Sequence, residues 1–460
     1  MVFSSIVFLF FFFPLTLLLY FSLPGTKFRN VLLLLASLVF YAWGEPVFVL
    51  IMLFSCVVNY VTGLFLENRR YGKTPLIIGV VINLIILIIA KYSDFIVQNF
   101  NLLLSGDNKI DQPNLPLPIG ISFFTFQAIS YLVDIWRKDA HVQKNPLRLS
   151  LFISLFPQLI AGPIVRYHHI ATELNRRVHH FALFRNGTER FIIGLSKKVL
   201  LANPAGQLAD NIMMGEAGIN TPTAWIGLIA YTLQIYYDFS GYSDMAIGLG
   251  KVFGFNFHEN FNYPYKSKSI QEFWRRWHIS LSTWFRDYVY IPLGGNRKGT
   301  GRTYFNLITI FFLTGLWHGA SWSFVFWGLF HGFFMLIERV GLKKHLPKIP
   351  VFNHIYTMLV VMVAWVFFKI ESFSEALQYT ITLFEMDLSS ITVNVTSWQI
   401  TAIIAGVLFS FNWWSSLLRD NHRYTRSLST LKYTVLLILF VLCCLEIATS
   451  TYNPFIYYRF

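Results

Sequence analysis

Residues 274–299 read WRRWHISLSTWFRDYVYIPLGGNRKG, and residues 315–332, after an apolar climb, read GLWHGASWSFVFWGLFHG. Set as a helix, the first run has two faces. Arg275, His278, Ser282 and Arg286 follow one another at steps of three, four and four, while Trp274, Trp277, Leu281, Trp284 and Tyr288 form an aromatic stripe opposite. That pattern predicts a helix lying against or dipping into a bilayer until Pro292 and the Gly294-Gly295 pair break it. The second run closes an apolar segment, Ile308 to Leu316, with His318 set between Trp317 and Gly319. Ionisable side chains at membrane depth cost about 2.5 to 3.5 kcal/mol for Arg, Lys or Asp, so they mark pathways and sites; a neutral histidine costs less and also serves as a hydrogen-bonded link between helices. His331 lies thirteen residues past His318. On a continuous helix that is roughly 140° around the axis, and a packing role is expected for it.

Working outward, the 460 residues are 55% hydrophobic and 13% charged. An ordinary soluble chain carries about 25% charged residues, so this composition predicts an all-α, polytopic membrane protein. Residues 1–20 are nearly uninterrupted apolar and no Lys or Arg precedes Lys27, which predicts an uncleaved first span. Candidate crossings, several of them shorter than a full span, centre on residues 3–22, 29–43, 46–66, 75–90, 118–136, 190–203, 223–248, 304–317, 321–340, 353–370, 398–417 and 433–450, about twelve in all. The run 150–164, with Pro157, Gly162 and Pro163, reads as a re-entrant element buried in protein. A single transmembrane domain over 1–460 is expected, with re-entrant or interfacial elements near 150–164 and 272–292. Cys56, Cys443 and Cys444 lie in apolar runs and suggest neither a disulfide framework nor a metal site.

Basic residues alternate between loops. Lys27 and Arg29, Arg69 with Arg70 and Lys73, Arg137 with Lys138 and Lys144, the arginines of 165–190, and the segment 251–302 fall on one side. Loops 205–221 and 371–397 hold no Lys or Arg but carry Asp210, Glu216, Glu371, Glu375, Glu385 and Asp387. The positive-inside rule then predicts extracytoplasmic N- and C-termini. Topology and anionic lipid account for the net charge of +14, so no nucleic-acid partner is needed.

Two more constellations lie inside apolar segments. Asp134 ends GISFFTFQAISYLVDIWR (Gly120 to Arg137), and YTLQIYYDFSGYSDMAIG places Gln234, Asp238, Ser240, Tyr242, Ser243 and Asp244 together. Asp238 and Tyr242 stand four apart, on one side of a helix. Intramembrane acids call for partners, and the arginines of 275–286 are the expected ones, in a site or in a structural ion-pair network. The aromatic and lysine-rich stretch 257–274 reads as an interfacial loop, with His258 at its surface.

The 274–296 run followed by GLWHGASW, the DFSGYSDMAIG segment and FPQLIAGPIVR together resemble the bacterial branch of the membrane-bound O-acyltransferase (MBOAT) family, in the family's order and across nearly the whole chain. Within it the likeness is strongest to the membrane subunits of alginate O-acetylation. The peptidoglycan O-acetyltransferases are close, and the teichoic-acid D-alanylating proteins are more distant. The resemblance implies a ring of helices around a thin centre, with a cytoplasmic funnel. The family's invariant histidine falls on His318 and its second polar position on His278. The chain is expected to take an acyl group from a cytoplasmic thioester and deliver it to an extracytoplasmic glycan, directly or through a periplasmic acetyltransferase or carrier partner. His318 would act as base or be transiently acylated, while His278 would orient the donor or stabilise the oxyanion. Arg275, Ser282, Arg286, Asp238, Tyr242 and Trp317 are the expected substrate or funnel residues. The basic loops suit a phosphate-bearing donor such as acetyl-CoA, with no bound cofactor or metal. The competing readings are peptidoglycan acetylation, D-alanyl transfer to teichoic acid and, in another class, a transporter or channel whose histidines relay protons.

Overall fold

The computed structural model describes residues 1–105, 108–160, 162–215, 219–342, 350–390, 393–412 and 425–456. Ala161, Glu216, residues 391–392 and the end of the expected 398–417 crossing lie outside them. Among the described residues every regular element is helical, with no strand. A π-turn at Phe8–Phe12 leads into α1 (Phe13–Ser22), followed by α2 (Gly25–Ala42), α3 (Val49–Glu67), α4 (Thr74–Asn101) and α5 (Ile121–Arg137). Then come α6 (Pro146–Ser154), α7 (Phe156–Leu159), α8 (Tyr167–Asn175), α9 (Phe181–Ser196), α10 (Asn203–Met213) and α11 (Thr221–Val252). The remainder are α12 (Ile270–Arg276), α13 (Ile279–Phe285), α14 (Thr300–His318), α15 (Trp322–Ile337), α16 (Pro350–Lys369), α17 (Phe373–Thr382), α18 (Ser397–Phe409) and α19 (Thr425–Thr449).

Among the described residues five helices are long and apolar enough to cross a bilayer: Val49–Glu67, Thr74–Asn101, Trp322–Leu342, Val351–Lys369 and Ser429–Thr449. Phe8–Ser22 and Ser397–Phe409 are shorter apolar helices. On α4 the isoleucines Ile77, Ile78, Ile85, Ile88 and Ile89 are exposed, an apolar face of a kind that suits hydrocarbon and not water.

The described residues form two compact units, one within 1–191 and 245–258, the other within 192–244 and 259–456. In the first, α3, α4 and α5 pack together and α6 lies on α2. Within 150–164 Leu155 leaves the helical backbone between α6 and α7, and the Phe156 amide donates to Ser37 Oγ at 3.0 Å. The irregular backbone is thus satisfied inside protein.

In the second unit α14 and α15 form a hairpin across a three-residue link, and α15 packs on α16. Small residues set this approach. A Cβ on Gly328 would stand 2.3 Å from the Phe311 carbonyl oxygen, and one on Gly315 would stand 2.4 Å from that of Phe324. The hairpin corrects the continuous-helix geometry used to relate His331 to His318, because the backbone turns at Gly319 and restarts with Ser321 as the cap of α15.

Candidate active site

The helix expected to run from Trp274 until Pro292 is broken at Trp277-His278. Trp277 is extended (φ −96°, ψ 131°) and His278 is left-handed (φ 43°, ψ 54°), so α12 ends before them and α13 begins after. A strap formed by residues 260–262 supplies the cause. Asn262 N donates to the Arg276 carbonyl at 2.9 Å, and Ile279 N donates to the Asn260 carbonyl at 2.9 Å. Backbone groups that a continuous helix would pair with each other are paired with the strap instead. The common polar face of Arg275, His278, Ser282 and Arg286 is therefore lost. His278 is fully buried, Ser282 is half-buried, and Arg275 and Arg286 are exposed. Arg286 pairs with its neighbour Asp287 through two hydrogen bonds of 2.6 and 3.0 Å.

Both histidines singled out by sequence reach the same aromatic lining. The His278 ring packs edge-on to Phe239 at 4.6 Å and lies 5.9 Å from Trp317, whose indole is 4.7 Å from the His318 ring. His318 closes α14, 2% exposed, against Trp327 and Phe368, each at 4.9 Å. The following Gly319 leaves no room for a side chain: a Cβ there would stand 2.1 Å from the Phe324 ring. His331 touches the same Trp327 at 5.2 Å and stacks on Phe273. A neutral imidazole can take a proton from a hydroxyl within hydrogen-bond reach.

The remaining expected residues sit elsewhere. Arg275 lines a cleft of about 420 Å³ with Gln271, Trp274, Asn296, Glu338 and Arg339. Trp274, at the wall of this cleft, packs on Trp327 at 5.7 Å and on His331 at 5.2 Å. Asp238 does not meet the arginines of 275–286. Its carboxylate lies 2.7 Å from the Lys198 ammonium and accepts from Ile456 N, while Asp244 pairs with Lys197 at 2.6 Å. Tyr242 stacks on Phe455 at 4.5 Å. Lys197 and Lys198 were missed although two lysines inside the apolar run FIIGLSKKVLLA are themselves a signal. Asn260, which contacts His278, carried no such signal.

A buried pair of imidazoles thus shares one aromatic lining, in a chain whose described elements are all helical and include apolar helices of membrane length. The sequence model of the MBOAT, membrane-bound O-acyltransferase, family matches residues 88–373. The chain belongs to this family and is an O-acyltransferase. It is similar to a probable alginate O-acetylase, AlgI, of Pseudomonas putida, with 40% identity over 494 aligned residues covering 100% of both chains. A probable alginate O-acetylase of Pseudomonas aeruginosa is 43% identical over 426 residues, 89% of this chain and 81% of that protein. A peptidoglycan O-acetyltransferase of Helicobacter pylori is 36% identical over 416 residues, 82% of this chain and 79% of that one.

Proposed function

We propose that the chain acetylates an exported, alginate-like polysaccharide, taking the acetyl group from acetyl-CoA on the cytoplasmic side and passing it across the membrane, directly or through a periplasmic acetyltransferase or carrier. The observation that carries the choice of acceptor is the 40% identity running the full length of both chains to a protein named for alginate O-acetylation. The peptidoglycan enzyme is matched at 36% over a smaller share.

In this reading His318 is the general base. Its imidazole takes the proton of the attacking hydroxyl as the oxygen bonds to the thioester carbonyl carbon. The tetrahedral intermediate collapses, the C–S bond breaks, and the imidazolium returns the proton to the departing thiolate. His278, across Trp317, hydrogen-bonds and orients the reacting groups. Arg275 and Arg339 in the cleft suit the phosphates of the donor, with Trp274 between that cleft and Trp327. Ser282, Arg286, Asp238 and Tyr242 frame the path. The whole chain forms one transmembrane domain of about twelve crossings in the bacterial inner membrane, termini outside, with 150–164 and 272–292 re-entrant or interfacial.

The test is transfer of radiolabelled acetyl from acetyl-CoA to de-acetylated alginate oligosaccharides, with the protein in lipid nanodiscs and periplasmic extract on the acceptor side. Label in the alginate, and less in peptidoglycan fragments, is expected. Label in peptidoglycan alone overturns the acceptor.

A further inference from the structure

Asn260 makes three hydrogen bonds with one oxygen. Its Oδ1 lies 3.1 Å from Ser280 N, 2.8 Å from Ser280 Oγ and 3.1 Å from His278 Nδ1, and Asn260 is itself fully buried. The backbone N–H of Ser280 can only donate, so the amide atom facing it is the oxygen and the orientation of the Asn260 side chain is fixed. An oxygen that only accepts requires a proton on whatever nitrogen faces it. His278 Nδ1 therefore carries the hydrogen, and in the neutral ring Nε2 carries the lone pair.

We infer that Asn260 is a positioning residue: it holds His278 as the Nδ1–H tautomer and so makes Nε2 the nitrogen that meets the reacting groups. The same residue fixes where the ring stands. The Asn260 carbonyl accepts from Ile279 N at 2.9 Å and its side chain accepts from Ser280 N at 3.1 Å, so it caps the start of α13 with both of its oxygens. His278, just before that start, is kept in its left-handed backbone conformation (φ 43°), which a non-glycine residue holds only where the surroundings enforce it. Two oxygens of one buried asparagine thus set the backbone, the tautomer and the aim of one imidazole. An orienting group on the far nitrogen of a working histidine is a general device for selecting which ring nitrogen reacts.

The inference rests on the proposed role of His278, and the experiments separate the two. The protein is prepared with ¹⁵N-histidine in nanodiscs, and the His278 resonances are assigned by difference against His278→Gln. A protonated Nδ1 and an unprotonated Nε2 are expected at pH 7.5; the opposite tautomer overturns the inference whatever the activity. Asn260→Ala is expected to lower kcat by about 10- to 100-fold, the loss typical when a hydrogen bond orienting a functional imidazole is removed, with KM for acetyl-CoA kept. Asn260→Asp keeps all three acceptor contacts but adds a negative charge that favours the imidazolium. Its acid limb of kcat against pH is expected to move to higher pH, because the ring stays protonated further up the scale. A purely structural cap would leave that limb in place, and an unmoved limb in folded Asn260→Asp overturns the inference. His278→Ala checks the underlying reading separately: undiminished turnover there removes the role of His278 itself.

Discussion

The Lys198 ammonium and the Asp238 carboxylate stand 2.7 Å apart with both side chains buried, 4% and 2% exposed. Neither charge is left to its partner alone. Lys198 also donates to Asn203 Oδ1 at 2.8 Å and to the Pro454 carbonyl, and Asp238 accepts from Ile456 N at 2.8 Å. Residues 40 positions apart in sequence are tied in this way to the segment after α19.

Removing one member of such a pair strands the other charge. Lys198→Met is expected to destabilise the protein by about 3–5 kcal/mol, read as a large fall in the fraction that stays monodisperse after heating in detergent. Lys198→Met with Asp238→Asn should recover part of that loss, since no charge is then left buried alone. A double variant as unstable as the single one would show that the packing of the lysine stem, and not its charge, matters.

The hairpin of α14 and α15 gives a second prediction. Gly328 approaches Phe311 O and the backbone of Gly315 so closely that a Cβ would stand 2.3 Å from the first and 3.0 Å from the second. Backbone cannot swing aside as a side chain can, so Gly328→Ala must part the helices, at a cost of about 1–3 kcal/mol. Thermal unfolding should shift down accordingly. Because Trp327 neighbours Gly328 and packs on His318, acetyl transfer should fall with it. An unchanged unfolding temperature would contradict the close approach.

Much of the fold was legible because apolar run length is a local property. The runs 75–90, 321–340 and 353–370 fall within or across Thr74–Asn101, Trp322–Leu342 and Pro350–Lys369. The junction at Trp277-His278 was not legible. No Gly or Pro marks it, and its cause is a strap some 18 residues earlier in the chain whose hydrogen bonds compete with the helix. Periodicity assumes that a helix continues, so it assigned Arg275 and Arg286 to the face of a histidine they do not share. His278 and His318 could be singled out from residue type and motif, whereas the asparagine that hydrogen-bonds to His278 depends on a contact no local pattern encodes. The partners of Asp238 and Asp244 were misplaced for a similar reason: charge alone said that cations must be near, but not which ones.

In the first unit, half-buried His169 lies 4.2 Å from the rings of both His168 and His258, and His168 Nδ1 is 2.7 Å from Asp134. Burial first, then His168, His258 and Arg166, push the His169 imidazole down to about 3, with Asp134 opposing them. An unfolded histidine titrates near 6.5. Between those values the unfolded chain binds the proton and the folded one does not, so this group's contribution to stability is intact above about 6.5 and is lost progressively as pH falls toward 3. The wild-type unfolding temperature should drop from pH 7.5 to 5.5, and His169→Gln should drop less. Equal drops would remove His169 as a source of the acid sensitivity.

Trp327 separates the two histidines of the hairpin, 4.9 Å from His318 and 5.2 Å from His331, and this makes them separable by experiment. His318 ends an apolar helix where the chain turns at a glycine that admits no side chain, so its ring is placed by the turn as well as by Trp317 and Phe368. His331 lies within α15 and stacks on Phe273 with nearly parallel rings, 4° apart. Loss of a positioned general base costs about 10² to 10⁴ in rate, so His318→Ala should reduce acetyl transfer by that factor while membrane insertion and acetyl-CoA binding remain. His318→Gln, which keeps polarity and hydrogen bonding but cannot take the proton, should be equally slow. His331→Phe preserves an aromatic ring against Phe273 and Trp327 and should retain turnover within a few-fold of wild type. Single-turnover measurements of acetyl loss from the donor, made on variants shown to bind acetyl-CoA, distinguish these outcomes. If His318→Gln keeps more than about a tenth of the wild-type rate, a loss smaller than the range for a general base, then the proton is taken elsewhere and His278 Nε2 is the next atom to test.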